Sequence, residues 1–286
     1  MKIFFLLLIT PIFLFSIAKG NESGEIASFY QPLIDRLLKD GFDLEFLSKL
    51  LKDPRAELNP RLMTISLGSR ETADLYQQFF SAESTLLCKK FLRQNLKELR
   101  KMEKEFGVEK EIVVAILLVE SRFGENIGKY RVLPTLASMA LIDSPDNLHT
   151  NYLLLREIDP ELSYEWMEGS AKKKANWAYH ELKCFLKIAR QEEIDPFEVY
   201  GSYAGALGMA QFIPSSYLAY AVREKSLEKW LASREEAIFS IGNYLKSHGW
   251  RKNLPIGKKR QALWHYNRSQ PYVETILQLS QKMKQK

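Results

Sequence analysis

The sequence predicts a mainly α-helical protein, and three observations predict it. Apolar residues recur at three- and four-residue spacing over most of the chain, strand-like alternation is scarce, and the apolar stripes stop at Gly, Pro or Asp. The elements follow in order.

Residues 1–18 read as a secretory signal: Lys2, the apolar stretch Ile3 to Phe15, then Ser16-Ile17-Ala18 with small residues where signal peptidase reads. The stretch is shorter than the roughly 20 residues that span a bilayer, and Pro11 interrupts it, which argues against a retained anchor. No cysteine follows it closely, so lipid attachment at a new N-terminal cysteine is unsupported. The expectation is an exported, periplasmic or envelope-associated protein with no membrane span after cleavage.

From there, Phe29, Leu33, Leu37 and Leu38 form one stripe ending near Asp40-Gly41, and Leu44, Leu47, Leu50 and Leu51 form the next, ending before Pro54. A turn-rich stretch from Asp53 to Gly68 leads to one long pattern carrying Leu86, Leu87, Phe91, Leu96 and Leu99, closed at Phe106-Gly107. The run Glu109 to Glu120 is acidic at its start, which suits the helix dipole, and apolar all round at its centre, which predicts a helix buried in mid-domain. Further helices are expected at about 130–142, 147–157, 175–192, Ser215 to Val222, Arg234 to Ser247, and from Gln261 or Tyr272 onward. Pro160 to Lys174 shows no clear pattern. These elements divide into an N-terminal helical segment, residues 19–70, packed on a main domain of residues 71–286.

Composition sets outer limits. About 268 residues remain after the signal, enough for a sizeable core. The formal charge of +6 falls to about +5 without Lys2, a balance suited to an anionic envelope polymer and not diagnostic of nucleic acid. Cys88 and Cys184 are compatible with two buried thiols or one bridge. His149, His180, His248 and His265 lack metal-ligand spacing and an evident serine partner, so neither a metalloenzyme nor a serine hydrolase is indicated. No cofactor is expected.

Two segments carry chemistry. Glu120 abuts the eight apolar residues Ile112 to Val119, so its carboxylate should be partly desolvated and its pKa raised, making it a usable general acid near neutrality. Gly201, Gly205 and Gly208 punctuate a stretch in which backbone groups can approach a ligand closely. A phosphate loop is disfavoured, because no strand precedes it and no Gly-Lys-Ser/Thr ends it. Tyr203, Tyr217, Tyr244, Tyr266 and Tyr272, with Asn267, suit the apolar faces and polar rims of sugars, although core packing explains any single tyrosine equally well. Together these features suggest polysaccharide cleavage by one acid.

At these residues the sequence resembles the lytic murein transglycosylase B family, glycoside hydrolase family 103. The resemblance runs through Val119-Glu120-Ser121-Arg122-Phe123-Gly124, Gly128 to Leu133, Gly201 to Gly208, and Gln211-Phe212-Ile213-Pro214-Ser215-Ser216-Tyr217. It continues through Ala237-Ile238, Asn243-Tyr244, His248-Gly249-Trp250, and Tyr266-Asn267-Arg268-Ser269 with Tyr272. It implies a lysozyme-like helical catalytic domain that cleaves the bond between N-acetylmuramic acid and N-acetylglucosamine in peptidoglycan, with Glu120 as acid and then base. The C6 hydroxyl of the muramoyl sugar attacks, giving a 1,6-anhydromuramoyl end without water. The resemblance also implies that Ser202, Gln211, Tyr244, Tyr266, Asn267 and Tyr272 line the cleft, with Tyr76 a further member upstream. Ser202 would position Glu120, and Asn267 would lie near the acetamido group.

The chain departs from better-known members twice. Ala221 to Trp230 lacks the aspartates and glycine of their calcium loop, so no metal is expected there, and the connection from Trp250 to Tyr266 is far shorter than theirs. Two other readings remain: a muramidase that hydrolyses the same bond, and a non-catalytic peptidoglycan-binding or scaffolding protein.

Overall fold

The structure, a computed structural model, describes residues 28–68, 71–223 and 226–285. The expected signal segment lies outside them. The chain is mainly α, as expected.

Two short helices, α1 (Gln31–Lys39) and α2 (Leu44–Leu51), open the described part, and Asp43 caps the second by accepting from the Phe46 amide at 2.7 Å. The turn-rich stretch from Asp53 contains a helix that the sequence reading missed, α3 (Pro60–Gly68), entered through Pro60 and Asn59, whose Oδ1 accepts from Leu62 N at 3.3 Å. Proline at a helix start costs nothing in hydrogen bonds, because the first N–H groups have no intrahelical partner.

After a 3-10 segment, Ala73–Phe80, the single long pattern divides into α4 (Ala82–Gln94) and α5 (Leu96–Phe106). Asn95 makes the break: its side-chain amide donates to the Phe91 carbonyl at 2.8 Å, supplying locally what a continuing helix would supply. Gly107 then ends α5 at φ +70°.

Helix α6 (Lys110–Ser121) is the buried helix expected from its apolar run, with Ile112 to Leu118 all 2% exposed or less. A two-stranded ladder, β1 (Tyr130–Arg131) with β2 (Tyr200–Gly201), pairs antiparallel and draws the segment after Glu120 onto the glycine-rich segment. Between the strands lie α7 (Val132–Ala140), α8 (Pro145–Arg156) and α9 (Tyr164–Gln191). Helix α9 begins eleven residues before the expected 175, capped by Ser163 on the Trp166 amide at 3.3 Å. Its first turns bury little besides Met167 and Ala171, so the apolar stripe is too thin to read.

The chain closes with α10 (Pro214–Tyr220), α11 (Leu227–Ala232), α12 (Arg234–Ser247), α13 (Ile256–Tyr266) and α14 (Gln270–Lys284). Helices α4, α5, α12 and α14 pack around α6. Leu33, Leu37, Leu47 and Leu50 of the first two helices belong to the same hydrophobic core as α6, while Met63, Leu148, Met167 and Ala171 form a smaller one. Both cysteines are buried free thiols. Among the described residues no helix is long and apolar enough to cross a membrane.

Candidate active site

Helix α6 ends abruptly after Glu120-Ser121. Arg122 and Phe123 both take positive φ, 50° and 60°, and their amides fold back onto the carbonyls of Leu118 and Leu117. The apolar helix thus delivers one carboxylate at its last turn, where the carbonyl end of the dipole also disfavours negative charge.

Ser121, 1% exposed, fixes what surrounds that turn. Its Oγ donates to the Met209 carbonyl at 2.7 Å and accepts from Gly124 N at 3.1 Å, clamping the helix end to the glycine-rich segment. Gly128 makes the same junction possible from the other side. It sits at φ +96°, and a Cβ there would lie 1.9 Å from the Gly201 carbonyl oxygen.

Glu120 is half-buried by surface area, but its carboxyl group is closely surrounded by protein, and this desolvation pushes its pKa up to about 7. The nearby Glu71 carboxylate adds to the rise, and the Tyr272 hydroxyl opposes it. Burial raises Tyr266 and Tyr272 well above the usual phenol, and the Glu120 charge pushes both further the same way. They are neutral donors at any ordinary pH.

Four of the expected residues form one row of rings beside Glu120. Tyr76 meets Tyr272 edge-on at 6.3 Å, Tyr272 lies nearly parallel to Tyr266 at 6.3 Å, and Tyr266 meets Tyr244 at 4.9 Å. Three of the four hydroxyls have their own anchor. Tyr266 donates to the Ala210 carbonyl at 2.5 Å, Tyr244 to the His265 carbonyl at 2.6 Å, and Tyr76 to Glu71 at 2.7 Å.

Ser202 and Gln211 shape the glycine-rich segment. The Ser202 Oγ accepts from Ala204 N at 3.2 Å and Ala206 N at 3.1 Å, which leaves its O–H as a donor. Gln211, itself at φ +49°, donates to the carbonyls of Gly208 at 2.8 Å and Ile127 at 3.3 Å. Asn267 donates to Glu71 at 3.3 Å.

Tyr217 does not join the row: it is fully buried against Trp230, and its hydroxyl donates to Glu192 at 3.0 Å. Nor are the histidines all scattered. His248 and His265 lie 4.7 Å apart beside Tyr244, and among the described residues no group of three or more metal-binding side chains forms. In the segment after Tyr220, Arg223 pairs with Glu192, which also accepts from Leu227 N.

Sequence reasoning missed Glu71 and Ser121. Glu71 stands alone in a polar loop, with no pattern to mark it. Ser121 was legible only as a neighbour of Glu120.

A helical core that delivers one desolvated carboxylate to a row of tyrosines defines a lysozyme-like class of protein. The chain matches the family Transglycosylase SLT domain over residues 25–262, and it belongs to that family. It is 32% identical over 237 residues to the membrane-bound lytic murein transglycosylase B of Escherichia coli, a match covering 78% of this chain and 57% of the relative. The chain thus spans little more than half that relative's length. Among solved structures it is similar to the E. coli lytic transglycosylase SLT35 in complex with calcium, with a TM-score of 0.68 at 24% identity over 90% of this chain and 93% of that one. The SltB3 of Pseudomonas aeruginosa in complex with NAG-anhNAM-pentapeptide has a TM-score of 0.67 at 19% identity, covering 90% and 80%. These two likenesses show the fold.

Proposed function

We propose that the chain is a peptidoglycan lytic transglycosylase in which Glu120 carries both proton transfers. The observation that carries this reading is a carboxyl group at the end of a buried helix whose pKa, pushed up to about 7, lets it both give and take a proton near neutrality. Family membership and the 32% identical transglycosylase supply the substrate class.

In the first step the Glu120 carboxyl gives its proton to the oxygen between N-acetylmuramic acid and N-acetylglucosamine, and the bond from that oxygen to the muramoyl C1 breaks. The 2-acetamido group stabilises the positive charge that develops at C1. In the second step the C6 hydroxyl of the same sugar bonds to C1 and returns its proton to the Glu120 carboxylate. Atoms balance without water, and the product is a 1,6-anhydromuramoyl end. The complex of the similarly folded SltB3 of Pseudomonas aeruginosa with NAG-anhNAM-pentapeptide supports this reading.

The other residues have supporting roles in this reading. Ser202 uses its free O–H to position Glu120, and Asn267 meets the acetamido group. Tyr76, Tyr244, Tyr266 and Tyr272 form the wall that lines the cleft, the first three with their hydroxyls held by Glu71 and the carbonyls of His265 and Ala210, while Gln211 holds the glycine-rich wall. The substrate is the glycan strand, and the setting is the cell envelope.

Purified peptidoglycan is digested with the wild type and, separately, with Glu120→Gln, and the soluble products are weighed by mass spectrometry. Anhydromuropeptides from the wild type alone are expected. Products heavier by one water would replace this reading with a muramidase, and no release from either protein would favour a binding or scaffolding role.

A further inference from the structure

Two stretches of the chain are strongly basic: residues 246–260 carry six cations and no acid, but Lys259 and Arg260 there are paired with Glu109 and Glu274, whereas the other stretch lies on α4 and α5. Between Lys89 and Lys104 there are seven cations, Lys89, Lys90, Arg93, Lys97, Arg100, Lys101 and Lys104, against Glu98 and Glu103 alone. That stretch therefore carries a formal +5.

The fold turns these side chains to one face. Leu99, Met102 and Phe106 of α5 and Phe91 of α4 point into the core, so Arg93, Lys97, Arg100, Lys101 and Lys104 stand exposed. Together with Gln94 and Leu96 they line an open groove of about 610 Å³. Among the described residues none of these five cations is engaged in an ion pair, whereas Glu103 is already matched by Lys110. The end of α14 widens the patch: Lys89 donates to the Gln285 carbonyl, which brings the lysine-rich tail alongside.

Two features select the partner. The groove holds no buried polar side chain built to grip one small anion, so it suits an extended anionic surface. Apolar groups are interleaved with the charge: Leu86, 63% exposed, shares the face of α4 with Lys90 and Arg93 at a spacing of four and seven, and Leu96 lines the groove itself. Cations flanking an exposed leucine and a half-buried one match the boundary between phospholipid headgroups and acyl chains better than a soluble polyanion.

Placement relative to Glu120 completes the argument. Phe91, on the inner face of α4, stacks at 4.4 Å on Phe123 just beyond the catalytic helix, while the cations occupy the outer face. The cations therefore face away from Phe123 and the helix that carries Glu120.

We infer that the outer face of α4 and α5 docks the protein on an anionic phospholipid bilayer, independently of the reaction at Glu120. The test is co-sedimentation of the mature chain with vesicles of phosphatidylcholine alone or with about one third phosphatidylglycerol, at about 0.05 M and about 0.5 M salt. Binding to the anionic vesicles at low salt is expected, weakened at least about tenfold by high salt, with little binding to the neutral ones. Lys97→Glu/Arg100→Glu/Lys104→Glu should weaken it about a hundredfold or more with an unchanged melting temperature, and Leu86→Ser should weaken it on its own. Should the triple variant unfold, Lys97→Gln/Lys101→Gln gives the same comparison with less disturbance. Equal binding to both vesicle types, or unaltered binding by a folded charge variant, overturns the inference. So does binding to purified sacculi, but not to anionic vesicles, that the charge variants abolish, since the partner is then the wall polymer.

Discussion

The buried hydroxyl of Tyr272 turns toward the Glu120 carboxyl without closing a hydrogen bond of ordinary geometry, and among the described residues it has no other partner. Electrostatically it still favours the carboxylate and so holds the Glu120 pKa lower than burial alone would. Tyr272→Phe should therefore raise the basic limb of the pH profile of kcat/KM while lowering the rate about 10- to 100-fold. Because it removes a buried donor that has no acceptor, the same change should leave Tm unchanged or raise it, by up to about 1 kcal/mol of stability. Kinetics across pH and a thermal melt read both effects. A falling Tm would mean that the hydroxyl is satisfied in solution.

The Glu120 carboxyl also makes stability depend on pH. Its pKa rises from 4.5 in the unfolded reference to about 7 in the fold, so over that window the native state binds more protons than the unfolded state. Stability is then fully present below about 4.5 and falls as pH rises toward 7, by about 3 kcal/mol in all. Glu120→Gln abolishes this slope. Its Tm should match the wild type near pH 4.5 and exceed it near pH 8, which scanning calorimetry at the two pH values measures directly.

What was legible in the sequence divides along physical lines. Helix α6 and Glu120 could be read because a carboxylate follows eight consecutive apolar residues, and the late tyrosines because they recur through the last third of the chain. Helix α3 and the first turns of α9 could not, since Pro60 opens one and the other shows water an almost wholly polar surface with exposed Trp166. The break at Asn95 was hidden because a side-chain hydrogen bond, not a change in periodicity, makes it. Glu71 was invisible for a different reason: its partner Asn267 lies 196 residues away, and only the folded chain brings them together.

Ser121→Ala tests the clamp between the helix end and the glycine-rich segment. The substitution leaves the Met209 carbonyl and the Gly124 amide without their partner in a buried site, which costs about 1–3 kcal/mol. Loosening Met209 also loosens Ala210, the acceptor for Tyr266, so kcat should fall more than KM rises. Denaturant unfolding and steady-state kinetics separate the two effects. A stability loss with unaltered kcat would confine Ser121 to a structural role.

Gly128→Ala should be more severe. At φ +96° an alanine is strained before any contact is counted, and its Cβ would lie 1.9 Å from backbone that the β1–β2 ladder holds in place. A loss of several kcal/mol, or failure to accumulate folded protein, is the expected result, read by circular dichroism and chemical denaturation.

Glu71 joins the two ends of the site, and its removal should act on two readouts at once. It accepts from Tyr76 and Asn267, and its charge helps to keep Glu120 protonated. Glu71→Gln keeps the shape and an acceptor but deletes the charge, so the basic limb of the kcat/KM profile should move down by about half a pH unit, a small shift because Glu71 is exposed and screened. Glu71→Ala also frees Tyr76 and Asn267, and KM for glycan should rise about 3- to 10-fold. High salt should shrink the pH shift while leaving the KM effect of the alanine variant in place, because screening weakens the charge interaction more than the short hydrogen bond to Tyr76. If the limb stays put in Glu71→Gln at low salt, burial alone sets the acidity of Glu120.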